Sequence, residues 1–279
     1  MSMYTTRRGF LAAGAAFTAR PATPVSAAIN FGAEDLKLGV ASYSFREFQR
    51  KLAISGVKAL KTPYVNIKEF HLPYRSSREE LVNGRQDFEK AGLIILAGGV
   101  ISLQKDDDDD IRFYFEYAKT AGMPLMVIAP TATTLPRVEK FVKEYNIKAA
   151  VHNHGPEDKH FPTPQSALTI VRNMDPRVGL CIDVGHTART GVDVVEAIRE
   201  AGPRLLDMHI KDLTSPSKKD SQCDVGEGAI PIVEIFKTLK AMNYRGGVML
   251  EYEINEDNPL PSMQRSFSYM RGVLAGLRG

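Results

Sequence analysis

Apolar and polar positions along the chain switch repeatedly between two periods. Near-continuous apolar runs of strand length recur at residues 36–45, 64–70, 93–103, 124–129, 147–153, 178–184, 204–211 and 247–252. Runs without polar alternation are the mark of strands covered on both faces. Between them the apolar positions take up the helical period, over 77–91, 108–121, 135–145, 164–173, 192–201, 232–242 and 262–274, with a less regular helix at 49–60. Gly92, Gly122, Asn146 and Gly202 fall at or just past the helix ends, where a left-handed residue is expected. Eight strand–helix units in about 250 residues, roughly 31 residues each, predict an α/β fold of one domain, the (β/α)8 or TIM barrel. A doubly wound sheet is the alternative, but the G-x-G-x-x-G turn that follows its first strand is missing.

Charge is unevenly placed. The formal balance of +3 over 279 residues owes everything to Arg7, Arg8 and Arg20, because the first 27 residues carry three arginines and no acid. Without them bases and acids are equal in number, which gives no electrostatic footprint for nucleic acid. Thr6-Arg7-Arg8-Gly9-Phe10-Leu11 reads as a twin-arginine signature, followed by an uncharged run over 9–19 and the small residues Val25-Ser26-Ala27. Residues 1–27 are therefore expected to be a twin-arginine signal peptide and 28–279 an exported barrel, periplasmic or extracellular. Twin-arginine export carries folded proteins, often with a cofactor already inserted. No other apolar stretch is long enough to span a membrane. Cys181, in an apolar run, reads as a small buried hydrophobe, with a disulfide to Cys223 as the alternative. The acidic run 106–110 opens a helix, where carboxylates meet the positive end of the dipole.

Five of the six histidines (His71, His152, His154, His186 and His209) sit on or just after strand-like runs; His160 falls in a loop. Functional groups in this barrel gather at the C-terminal ends of the strands. Four segments there matter most: Ala150-Val151-His152-Asn153-His154-Gly155, Cys181-Ile182-Asp183-Val184-Gly185-His186, Leu206-Asp207-Met208-His209-Ile210-Lys211-Asp212 and Val248-Met249-Leu250-Glu251-Tyr252-Glu253. A carboxylate at the end of a buried strand costs several kcal/mol unless it is paired or bound to a cation. Four neighbouring strands that end this way imply a shared cation.

These segments resemble the xylose isomerase-like TIM barrels, the sugar phosphate isomerases/epimerases, over essentially the whole chain after the signal. The resemblance implies one divalent metal ion, manganese, cobalt, zinc or magnesium, held where strands five to eight end, typically by Glu, Asp, His and Glu. The last three match Asp183, His209 and Glu251; the first falls on His152, a departure, with His154 as the competing ligand. It further implies catalysis by Glu251, His152 and Lys211, the lysine either steadying an oxyanion or pairing with Asp212 or Asp183. The substrate-binding set is His186, His154, Glu69, His71 and Glu227, the last in the loop Val225-Gly226-Glu227-Gly228; Glu69 is equally readable as a structural hydrogen-bonding group.

The activity implied is a metal-dependent sugar isomerase or epimerase that removes a proton next to a carbonyl of a sugar or polyol. A lyase or dehydratase acting on keto-sugars or keto-glycosides is the alternative, as is a non-catalytic exported sugar-binding protein. Arg75 and Arg245 are candidate phosphate contacts. Oligomeric state is left open.

Overall fold

The computed structural model describes residues 36–278, so the expected signal peptide, its cleavage point and residues 28–35 lie outside the described residues. Eight parallel strands close into a barrel: β1 (Lys37–Ala41), β2 (Tyr64–Ile67), β3 (Ile94–Leu103), β4 (Leu125–Pro130), β5 (Lys148–His152), β6 (Val178–Asp183), β7 (Leu205–Ile210) and, eighth around the ring, β10 (Gly247–Leu250). Sequential neighbours pair throughout, and β10 closes on β1 with Leu38 opposite Val248. Helices α1 (Arg50–Ala59), α2 (Arg78–Lys90), α3 (Asp108–Thr120), α4 (Leu135–Tyr145), α5 (Pro164–Val171), α7 (Val194–Ala201), α8 (Ile232–Ala241) and α9 (Leu260–Gly276) cover the outside. This is the expected TIM barrel.

The local signals act as the sequence suggests. Ser77 and Thr163 start α2 and α5 with reciprocal capping boxes. Asn146 ends α4 at φ 54°, and Gly92 follows α2 at φ 80°. In the acidic run, Asp107 caps α3 by accepting from the Asp110 amide at 2.9 Å, and Asp106 and Asp108 pair with Arg137. No helix among the described residues is long and apolar enough to cross a membrane.

Three segments differ from the sequence expectation. Residues 42–45 form a 3-10 turn, Ser42–Phe45, instead of prolonging β1, because the Ser42 hydroxyl accepts the Lys68 amide at 2.8 Å and meets the His71 ring at 2.9 Å. A six-residue helix, α6 (Val184–Arg189), follows β6 at once, capped by Asp183. A small hairpin of β8 (Asp212–Leu213) and β9 (Gln222–Cys223) rises after β7. Both cysteines are free, so no disulfide joins them; Cys181 is buried inside the barrel.

The barrel interior is graded. Ala97, Leu125, Val127, Ala150 and Cys181 fill an apolar layer. Asp207 sits beside Cys181, its Oδ2 accepting from Asn66 Nδ2 at 2.6 Å. Two residues further along β6 and β7, Asp183 is paired in register with His209, and the polar cluster begins.

Candidate functional site

Side chains two apart on a strand share a face, so each strand that ends here can aim one donor inward. β5 delivers His152, β6 Asp183, β7 His209, and the residue after β10 is Glu251. Their donor atoms all lie within 4.8 Å of one another, and all four residues are buried. His209 Nδ1 stands 3.1 Å from His152 Nε2, 3.0 Å from Glu251 Oε2 and 4.0 Å from Asp183 Oδ2. His152 Nε2 is 3.8 Å from Asp183 Oδ2.

The backbone around Asp183 fixes which oxygen is offered. Its Oδ1 accepts from the His186 amide at 2.8 Å as the cap of α6. Asn153 Oδ1 accepts the Asp183 amide at 3.0 Å, and the Thr187 hydroxyl donates to the Asp183 carbonyl at 2.7 Å. Oδ2 is left fully buried and accepts no aligned hydrogen bond, although Lys211 Nζ stands 3.0 Å away. A divalent cation fits this set. Around an ion with bonds of about 2.1 Å, donors stand about 3.0 Å apart when adjacent and about 4.2 Å apart when opposite in an octahedron. The four separations above fall in that span, and the nitrogen–oxygen mixture suits manganese, cobalt or zinc.

Two lysines balance the carboxylates. Lys211 reaches Asp183 at 3.0 Å and Glu251 Oε2 at 3.4 Å, and also pairs with Glu253; Asp183, not Asp212, is its partner of the two foreseen. Lys68, 7% exposed at the end of β2, lies 3.0 Å from Glu251 Oε1. Burial alone would raise the Asp183 carboxyl, but Lys211 and then His186 hold it well below the ordinary range. Burial works the same way on Glu251, and His209, Lys68 and Lys211 outweigh it, so Glu251 is held ionised. Burial would lower Lys211, yet Asp183, Glu253 and Glu251 keep it firmly charged.

Above the cluster lies a cavity of about 250 Å³. His186 lines it, its ring nitrogen depressed to about 3, first by burial, so the imidazole is neutral. His154 is exposed at the mouth, its ring 4.4 Å from that of His186, and stands outside the four-donor set. Glu69 also lines the mouth, exposed to solvent, so it is no interior hydrogen-bonding group.

Two expected substrate contacts are placed elsewhere. His71 is buried behind the Ser42–Phe45 turn, with Nδ1 on Ser42 Oγ and Nε2 on the Phe45 carbonyl at 3.0 Å, so both ring nitrogens are occupied by the fold. Glu227 is exposed and does not line the cavity. The reason is Asp212, whose carboxylate accepts the amides of Gly226, Gly228 and Ile230 at 2.9–3.1 Å and holds the loop on itself. A Cβ at Gly228 would come within 2.2 Å of Asp212 Oδ1, so the glycine is what admits the carboxylate.

Sequence reasoning passed over Lys68, Tyr43, Phe70, Tyr74 and Glu253, all of which line the cavity. Lys68 had a signal: it is two residues beyond Asn66, and just past the end of β2 it continues that residue's inward alternation.

Among curated proteins, the chain is 29% identical over 124 residues to uncharacterized protein MJ1311 of Methanocaldococcus jannaschii, covering 43% of this chain and 41% of that one. It is 36% identical over 74 residues to an Escherichia coli strain K12 protein, SgbU, provisionally named an L-ribulose-5-phosphate 3-epimerase, covering 25% and 26%. The match thus spans less than half the length of either relative. Among solved structures, 3-keto-D-glucoside 4-epimerase YcjR of E. coli superposes at a TM-score of 0.68 with 15% identity, over 85% of this chain and all of that one. AsbF of Bacillus anthracis, provisionally a 3-DHS dehydratase, superposes at 0.69 with 12% identity over 85% and 99%. At these identities the likeness is one of fold. Residues 109–273 match the profile of the xylose isomerase-like TIM barrel, and the chain belongs to that family.

Proposed function

We propose that this barrel is a divalent-metal-dependent sugar isomerase or epimerase that moves a proton next to a carbonyl. The observation that carries the reading is the buried His152, Asp183, His209 and Glu251 set with Asp183 Oδ2 lacking an aligned donor, facing a cavity. Those four residues would hold the cation, which when bound draws electron density from a carbonyl and a neighbouring hydroxyl. Glu251 takes the proton: it is held ionised and borders the cavity. Lys68, beside Glu251 Oε1, supplies positive charge where an oxyanion develops. His186, neutral, donates a hydrogen bond to a substrate oxygen instead of giving up a proton.

His152 makes the two sides of the cavity unequal. A nitrogen committed to a cation cannot also shuttle a proton, so Glu251 serves one face. Proton return on that same face at the adjacent carbon is isomerisation; inversion at one carbon needs a second group. The same inequality favours, as the second reading, loss of a β-substituent, the lyase or dehydratase outcome, consistent with the dehydratase named among the neighbours. Signal-directed export is part of the proposal and would bring the site to carbohydrates outside the cytoplasm.

The test has two parts. Elemental analysis of purified protein should find a single equivalent of a divalent transition metal, lost in an Asp183→Ala, Glu251→Ala variant. Deuterium from solvent should enter keto-sugars in the wild type and not in Glu251→Gln. Full exchange in Glu251→Gln refutes its role as base.

A further inference from the structure

On the sugar reading above, the wall of the cavity narrows the substrate further. Lys68 is the one lysine or arginine among its described lining residues, against three carboxylates, Glu69, Glu251 and Glu253. Lys68 is already paired with Glu251, and Lys211 below it with Asp183, Glu251 and Glu253. The nearby arginines are occupied too, Arg46 by Glu256 and Arg189 by Glu157. Arg75 lies over the Phe113 ring at 5.6 Å and does not line the cavity. Arg245 precedes β10, at the N-terminal ends of the strands and away from the site.

Backbone donors give the same answer. In many barrels of this type a phosphate sits on amides of the loops after strands seven and eight. Here the amides of Gly226, Gly228 and Ile230, in the loop after β7, point at the Asp212 carboxylate, an anion built into the chain. The first turn of α6 is likewise taken by Asp183 Oδ1. A phosphate dianion held at the mouth of the cavity, outside the four-donor cluster, would meet Glu69 and Glu253 with Lys68, Lys211, Arg46 and Arg189 already paired with carboxylates and these amides filled.

What the mouth does offer is aromatic. Phe70 lines the cavity 50% exposed, with its ring edge-on to Tyr43 at 5.7 Å, and Tyr74 lines the same wall. An exposed ring at the rim of a polar cavity is suited to the C–H face of a sugar ring, whose hydroxyls then turn toward the cluster.

We propose that the substrate is an uncharged sugar or glycoside, seated with its apolar face on Phe70 and its hydroxyl edge toward the four-donor cluster, and that phosphate esters are excluded. Full-length protein loaded with Mn²⁺ is titrated by calorimetry with neutral ketohexoses and pyranosides and with their 6-phosphates, and solvent deuterium exchange is followed for each pair. Neutral members should bind about tenfold or more tighter than their phosphates, a difference of about 1.4 kcal/mol. Phe70→Ala should weaken neutral binding by about tenfold, again about 1.4 kcal/mol, with metal content unchanged, and Glu69→Gln should narrow the discrimination. Phosphate esters that bind or exchange as well as the neutral sugars overturn the proposal while leaving the sugar reading intact. If neither class binds the Mn²⁺-loaded protein, the sugar reading itself falls.

Discussion

Replacing Lys211 by methionine keeps most of the side-chain volume and removes the ammonium alone. Lys211 is 4% exposed and stands 3.0 Å from Asp183 Oδ2, itself fully buried, and 3.4 Å from Glu251 Oε2. Glu251 keeps Lys68 at 3.0 Å, so the charge left uncompensated is that of Asp183. Removing one partner of a buried ion pair costs about 3–5 kcal/mol. For a barrel of this size each kcal/mol moves Tm by about 2–4 °C, so at the lower end of that cost the metal-free variant should melt about 6–12 °C below wild type. Lys211 also holds the Asp183 carboxyl below the ordinary range. The wild type's advantage is therefore present above about pH 4 and fades as the pH falls through the depressed value. The assay is thermal and urea denaturation of both proteins in EDTA and again with saturating Mn²⁺. A divalent ion at Asp183 supplies the missing positive charge, so the gap should shrink when metal is added. A gap that is equal with and without metal, or a metal-free variant as stable as wild type, refutes the reasoning.

Two further outcomes concern groups around the cluster. Burial pushes the Asp207 carboxyl up to about 7, with His209 and Asn66 pulling the other way. A raised carboxylate pKa means that ionisation opposes folding: the penalty is absent below about pH 4, grows toward pH 7 and is constant beyond, up to about 4 kcal/mol. Metal-free Asp207→Asn, which keeps an acceptor for Asn66, should be more stable than wild type at pH 8 and match it at pH 4; equal differences in urea midpoint at the two pH values would contradict this. Arg189 Nη1 lies 3.4 Å from His186 Nδ1, and a guanidinium can only donate, so the His186 proton belongs on Nε2. Nitrogen-15 NMR should report one tautomer in wild type and a mixture in Arg189→Met; a proton on Nδ1 in the wild type would rule out the assignment.

The barrel is legible in the sequence because a strand covered on both faces is apolar at every position, and runs such as 147–153 and 178–184 need no partner to be recognised. The segments just beyond the strand ends are harder to read. Tyr43 and Phe45 continue the apolar pattern of β1, yet the Ser42 hydroxyl turns the chain there through contacts with Lys68 and His71, distant in sequence. α6 carries Gly185, a poor helix former, and is started by a carboxylate whose other oxygen is offered to the cluster. His71 shares its place after a strand with the other histidines, but a turn points it back into the wall. Glu227 has the flanking glycines of a lid residue; those glycines serve Asp212 instead. The four-donor set comes from strand ends combined with family resemblance, and Lys68, 183 residues from Glu251 and chemically ordinary on paper, has only strand alternation to reveal it.

The two lysines explain how such a site can fold before any cation arrives. Asp183 and Glu251 are buried carboxylates on adjoining parts of the ring, and leaving either unpaired would cost several kcal/mol. Lys68 at the cavity wall and the buried Lys211 neutralise them, so the donors are held within 4.8 Å of each other by the chain alone. On the proposed function, a divalent ion entering this cluster would meet repulsion from Lys211, whose ammonium would have to give ground. Glu253, 37% exposed at the cavity wall, already pairs with Lys211 and offers it a place to move toward. Gly185 is what admits the Lys211 stem beside Asp183: a Cβ there would come within 2.6 Å of Lys211 Cγ. The small helix after β6 thus has two tasks, aiming Asp183 Oδ2 through its cap and, at Gly185, admitting the lysine that neutralises it.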